Sequence, residues 1–134
     1  MSTHDQAPIA GVVLAAGSST RMGQNKLLLE LGAESLVRRS VRAAIDAGLD
    51  SVVVVLGHEA ARIQAELDGL SFVPIWNSRH AEGVGTSLKA GVTAAADAQA
   101  IVVVLADMPF VTPAMIGAVA ARYRASRARL VVSR

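Results

Sequence analysis

Cysteine is absent from the 134 residues. Its absence removes disulfide staples and thiolate metal sites, and leaves the redox compartment open. Aromatic residues make up only 3%, so the interior has to be built from Ala, Val, Leu and Ile, and base stacking has few rings to use. Long apolar runs are missing too. The longest strongly apolar stretch, Ile101 to Ala106, is far shorter than the ~20 residues that cross a bilayer as a helix. The opening "MSTHDQAPIAG" has no basic start leading into an apolar core, so a soluble cytoplasmic protein without a membrane partner is expected. A strong excess of one charge is also lacking: the net charge is +2, although the pI is near 9.7. Five arginines (Arg122, Arg124, Arg127, Arg129, Arg134) gather near the end. Without a nucleic-acid signature they read as a solvated helix face, and no nucleic acid is expected as a partner.

What is present is apolar and patterned. Hydrophobic residues make up 52% and charged ones 18%, which excludes disorder and predicts one domain over 1–134 with one core. "PIAGVVLAAG" (Pro8 to Gly17), "SVVVVLG" (Ser51 to Gly57) and "AIVVVLAD" (Ala100 to Asp107) are short runs, Val-rich in the latter two, of the kind that fill a parallel sheet covered on both faces. "SFVPIW" (Ser71 to Trp76) is a weaker strand that Pro74 pushes to an edge, and "RLVVSR" starts another. Helical spacing joins Leu36, Val37, Val41, Ala44 and Ile45, with Gly48 as a stop. It also joins Ala60, Ile63 and Leu67; Leu88, Val92, Ala95 and Ala96; and Met115, Ile116, Val119 and Tyr123 behind the Thr112 cap and Pro113. The alternation predicts an α/β fold: a three-layer α/β/α, open, mostly parallel, Rossmann-like sheet.

In such a sheet ligands sit beyond the carboxyl ends of the strands. "LAAGSSTRMGQNK", Leu14 to Lys26, leaves the first expected strand there. Gly17 allows close backbone approach, amides from Gly17 to Gly23 can converge on anionic oxygens, and Arg21 and Lys26 add two positive charges. The spacing is neither a Walker loop nor the dinucleotide fingerprint, and an ordinary glycine-rich connection stays open as a reading. Asp107 stands at the end of another strand. One strand-end carboxylate can anchor Mg²⁺ when phosphate oxygens supply other ligands, the alternative being a turn aspartate. "NSRHAEGVGTSLKAG" (Asn77 to Gly91) puts Gly83 and Gly85 before Thr86 and Ser87 at a helix start, suited to a base edge or an anion and equally to a plain N-cap.

Taken together, the "LAAGxSxRMGxxK" segment from Leu14 to Lys26, "GxxxSL" from Gly83 to Leu88 and "DMP" from Asp107 to Pro109 resemble the MobA-like NTP transferase family, of nucleotide-diphospho-sugar transferase fold. The "LAAG" form resembles the molybdenum cofactor cytidylyltransferase branch rather than the guanylyltransferase "LAGG". The resemblance implies transfer of CMP from CTP to the terminal phosphate of molybdopterin or its metal-loaded form, with release of pyrophosphate. It assigns Arg21 and Lys26 to charge stabilisation and Asp107 to Mg²⁺. Leu14, Ala15, Ala16, Gly17, Ser18, Gly23, Gly83 and Ser87 are assigned to the nucleotide. It also implies a xanthine dehydrogenase family molybdoenzyme, or its maturation factor, as partner. Two positions depart from the pattern: His80 replaces the usual aromatic and Val84 the usual methionine. Family members also continue into a Gly-His-Pro element, a second acidic ligand and much of the acceptor pocket. The sequence is therefore expected to be truncated at its C-terminus, lacking the acceptor-binding part. Asp5, Asp46, Asp50, Asp68 and Asp97 lie in expected tails, helices or turns and offer no substitute ligand. Two rival readings are a nucleotide-binding module without turnover and a transferase for a sugar phosphate or another small phosphate acceptor. His58 is read as a loop histidine, Trp76 as core or rim packing, and Met22, Met108 and Met115 as packing; His4 and Asp5 belong to a loose tail.

Overall fold

Three apolar segments become the middle of one parallel sheet because they are β-branched and carry almost no polar side chain to leave unsatisfied. The computed structural model describes residues 8–17, 20–21, 24–108, 110–126 and 130–132. In chain order the elements are β1 (Ile9–Ala15), β2 (Thr20–Arg21), β3 (Gln24–Asn25), β4 (Glu30–Leu31), β5 (Glu34–Ser35), α1 (Leu36–Asp46), β6 (Ser51–Leu56), α2 (Ala60–Glu66), β7 (Val73–Trp76), α3 (Val84–Ala94), β8 (Ala100–Leu105), α4 (Pro113–Ser126) and β9 (Leu130–Val132). The main sheet has the order β7-β6-β1-β8-β9 with every pairing parallel. Pro74 lies on β7, which is an edge strand, as its missing N–H requires.

The two-residue period of β1 divides the interior. Ile9, Val13 and Ala15, with Val54 and Val104 of the neighbouring strands, pack against α1, α2 and α4. Ala10, Val12 and Ala16, with Val53 and Val55, face Ala95 at the end of α3. Helices therefore cover both faces, giving the expected three layers. Helix α1 starts where Ser35 Oγ accepts from Arg38 N at 3.3 Å. It buries Leu36, Val37, Val41 and Ala44 as its spacing predicts, and Ser40 as well. That serine is fully buried, and its Oγ donates to the Ala106 carbonyl at 3.0 Å, tying α1 to the end of β8. Arg38 Nη1 donates to the carbonyls of Glu66 and Asp68, at 2.9 and 2.8 Å, and so satisfies acceptors left free where α2 ends.

Two readings of the sequence need correction and a third is narrowed. In α3 the buried line is Ser87, Gly91 and Ala95, while Val92 is 43% exposed and Ala96 is exposed. The helix lies too close to the sheet for large side chains, so small residues face inward and Val92 is turned out. Trp76 is 57% exposed, which makes it a rim residue and excludes the core alternative. Met115 is 40% exposed and fills no gap, because the inner face of α4 is occupied by Ile116 and Ala120. Between β1 and α1, where no regular structure was expected, the chain makes two short antiparallel ribbons, β2–β3 and β4–β5.

Glu34, next to the start of α1, accepts from Arg42 Nε at 2.7 Å and a second time from Arg42 Nη2. These hydrogen bonds hold its carboxyl below the usual range, with the Arg42, Arg38 and Arg39 charges adding to them and partial burial opposing. A depressed carboxyl stabilises the fold above its unfolded pKa, about 4.3, and that contribution is lost as pH falls through the lower folded value. Glu34→Gln is therefore expected to cost less than about 1 kcal/mol at pH 7. In urea unfolding the difference from the parent should shrink toward zero below about pH 4; a difference unchanged at pH 3 contradicts the assignment.

Candidate active site

Strand order reverses at β1. The chain adds β6 and β7 on one side of it and β8 and β9 on the other, which makes the crevice beyond the carboxyl ends of β1 and β8 the topological switch point. A cleft of about 230 Å³ opens there. Leu14 and Leu105 form its floor, because the pleat turns both toward the face that carries α3. Ala16 and Gly17 continue the floor past the strand. The ladder runs one step beyond the elements: Ala106 N donates to Leu14 O at 3.2 Å, and His58 N to Ala16 O at 3.1 Å.

The side walls come from Leu27, from Val84 and Ser87 in the first turn of α3, and from His80 in the loop before it. Gly57 makes room for His80: a Cβ there would stand 2.7 Å from His80 Cβ and 2.8 Å from Cγ. Among the described residues the Nδ1 of His80 is buried without a hydrogen-bond partner. An unpaired buried acceptor costs less than an unpaired buried N–H, which favours the tautomer protonated at Nε2. Gly83, with φ +123°, takes the left-handed conformation that starts α3 with no side-chain cap. Thr86 N donates to Gly83 O at 3.2 Å, and among the described residues the Val84 and Gly85 amides at the start of this 11-residue helix have no acceptor.

Charge stands at the mouth. Asn25 Oδ1 accepts from Leu27 N at 3.0 Å and begins a tight 3₁₀ turn over Lys26–Leu28. That turn sets Lys26 Nζ 4.0 Å from Asp107 Oδ2, with the side chains 35% and 43% exposed. A pair so long and so exposed is worth at most about 1 kcal/mol. Each member is therefore easily taken over by a stronger counter-charge, the ammonium by an anion and the carboxylate by a cation. Among the described residues no group of three or more His, Cys, Asp or Glu is arranged around a metal position. Asp107 alone fits a hard cation that keeps waters and takes further oxygens from a phosphate ligand.

Of the residues singled out from the sequence, Leu14, Ala16, Gly17, Ser87 and Asp107 line the cleft, and Lys26 reaches it through Asp107. The Ala15 side chain does not: it is buried in the core on the opposite face of the sheet, since the alternation that turns Leu14 inward turns Ala15 away. Gly83 stands behind Val84 at the start of α3. Ser18 and Gly23 lie outside the described residues, as does the side chain of Arg21, whose backbone belongs to β2. The sequence alone does not single out Leu27, Leu105 or Asn77. Asn77, 7% exposed, donates from Nδ2 to Thr86 Oγ1 and Ser87 Oγ, 2.9 Å from each. The available hint was a turn asparagine nine and ten residues before two adjacent hydroxyls.

Known proteins resemble this chain in sequence and fold. The chain is 38% identical over 111 residues to a probable molybdenum cofactor guanylyltransferase of Opitutus terrae, covering 81% of this chain and 52% of that protein. A nucleotidyl transferase from Methanothermobacter thermautotroptrophicus superposes with a TM-score of 0.78 and 32% identity, over 85% of this chain and 57% of that one. Rv0371c of Mycobacterium tuberculosis H37Rv, in complex with manganese, does so at 0.68 and 30%, over 88% and 60%. The chain spans less than two thirds of the length of the curated relatives it matches. No helix among the described residues is long and apolar enough to cross a membrane. With the switch-point cleft, the strand-end acid and the lysine turn in place, the match of residues 11–134 to the MobA-like NTP transferase domain settles the family, and the chain belongs to it.

Proposed function

We propose that this chain binds the CTP of a cytidylyl transfer to molybdopterin or its metal-loaded form. One observation carries the reading: Lys26 and Asp107 face each other at 4.0 Å across the mouth of a mostly apolar cleft at the switch point. The cleft takes the base and ribose, and the triphosphate lies over the loop after β1. Lys26, with Arg21 as a further cation, would neutralise charge on the phosphates, while Gly17 allows close backbone approach. Asp107 would hold Mg²⁺. That ion, when bound, supplies charge neutralisation on the phosphate oxygens. An oxygen of the acceptor phosphate attacks the α-phosphorus, the bond to the β-phosphate oxygen breaks, and pyrophosphate leaves with its electron pair. Orientation and electrostatics do the work, and no covalent intermediate is needed.

Two features support cytosine. A cavity of about 230 Å³ is below the usual ~300–1,000 Å³ of ligand pockets, which suits one ring better than two. Ala16, at the point where the "LAGG" form has glycine, narrows the floor by a methyl group. Titration of the chain with CTP, UTP and GTP, with and without Mg²⁺, tests this. CTP should bind most tightly and only fully with the ion, and a GTP preference overturns the base assignment. Pyrophosphate release with molybdopterin, set against release with a sugar 1-phosphate, tests the acceptor. Binding without release from either favours a nucleotide-holding module.

A further inference from the structure

Asn77 has every polar atom engaged, and its orientation is unambiguous. Oδ1 accepts from the backbone N–H of Arg79 at 3.0 Å, and an amide N–H can only donate. Nδ2 therefore faces the hydroxyls of Thr86 and Ser87, and both oxygens accept from it. The two hydroxyls differ in what remains. Thr86 Oγ1 has acceptors for its own proton in the carbonyls of Arg79 and Gly83, at 2.9 and 2.8 Å. Ser87 Oγ has none among the described residues, although Ser87 is only 4% exposed and lines the cleft. A buried hydroxyl with its proton uncommitted beside an open cavity is a donor that lacks its acceptor.

We propose that Asn77 is a positioning residue: its Nδ2 occupies one of the two lone pairs of Ser87 Oγ, turns the hydroxyl proton away from itself and so presents it as a donor to a ring carbonyl of the bound pyrimidine. The inference rests on the nucleotide reading above and adds the polarity with which the cleft reads the base. An asparagine that only cemented the loop to α3 would affect every ligand alike. One that sets the polarity of Ser87 acts on the base and leaves the triphosphate untouched.

The test is calorimetric titration of the parent, Ser87→Ala, Asn77→Asp and the double variant with CTP and with inorganic tripolyphosphate. In Asn77→Asp the carboxylate accepts from Ser87 and turns its proton away from the cleft. CTP affinity is expected to fall about tenfold in each single variant, with tripolyphosphate affinity unchanged. The double variant should bind CTP no worse than Ser87→Ala, because one interaction is lost in both. Acidification that protonates the introduced carboxyl should restore CTP binding in Asn77→Asp alone. If Asn77→Asp does not fold, a CTP analogue lacking the 2-oxo group keeps the donor claim testable: it should bind the parent as weakly as CTP binds Ser87→Ala. Asn77→Asp binding CTP like the parent, or CTP and tripolyphosphate weakening together, overturns the positioning role. Ser87→Ala binding CTP like the parent overturns the donor. Failure of the parent to bind any nucleoside triphosphate refutes the underlying reading instead, and this inference with it.

Discussion

Lys26→Ala is expected to weaken CTP binding by about one to two orders of magnitude. A hydrogen bond between charged groups contributes about 1.5–3 kcal/mol, and 1.4 kcal/mol is a factor of ten. Asp107→Asn should behave differently. Asp107 is the only carboxylate among the described residues that line the cleft, so without it binding in the absence of divalent ion should be equal to or tighter than the parent's. The gain that Mg²⁺ gives the parent should disappear, and any transfer activity should fall by about 10²–10³, the usual effect of removing one electrostatic stabiliser. Calorimetry across a series of Mg²⁺ concentrations separates the two variants. Equal losses in both, independent of the ion, would mean that the Lys26 and Asp107 pair at 4.0 Å holds the fold and does not grip the nucleotide.

The second large effect concerns stability. Gly91 sits in the middle of α3, where helix propensity alone predicts that alanine gains roughly 1 kcal/mol. The packing predicts the opposite sign. A Cβ at Gly91 would stand 2.3 Å from Val12 Cγ1 and 3.1 Å from Val55 Cγ2. Both valines are fully buried in the central strands and have no room to yield. Overpacking of this kind costs about 1–3 kcal/mol for a methyl group, and Gly91→Val should exceed that. Urea unfolding measures the loss. Val12→Ala in the Gly91→Ala background should recover part of it by making space, a coupling that two independent sites would not show. If Gly91→Ala proves stabilising, α3 does not lie as close to β1 and β6 as described. Its Val92 would then have no reason to face outward.

Much of the fold was legible because it is local. The valine runs Ser51–Leu56 and Ala100–Leu105 could be little else than buried strands, and the Leu36, Val37, Val41, Ala44 spacing specifies one inward helix face. Thr112 and Pro113 marked the start of α4, and Thr112 Oγ1 does accept from Met115 N at 3.1 Å. Where periodicity failed, distance was the cause. Hydrophobicity alone turns the apolar residues of α3 inward, but a helix packed on Val12 and Val55 through Gly91 selects for size.

The candidate site divides in the same way. Its glycines, its lysine and its strand-end aspartate stand out in the chain because a carboxylate right after a buried valine run, and cations right after a glycine turn, are anomalies in their local context. That much the sequence determined by itself, together with the α/β class and the family. Only the folded chain decided that Lys26 meets Asp107 across 81 residues of sequence, that Ala15 turns away while Leu14 turns in, and that Asn77 hydrogen-bonds Ser87. Those outcomes depend on strand register, on the pleat and on how closely one helix approaches the sheet. They are properties of distance and direction between segments far apart along the chain, and no local pattern of residue types encodes them.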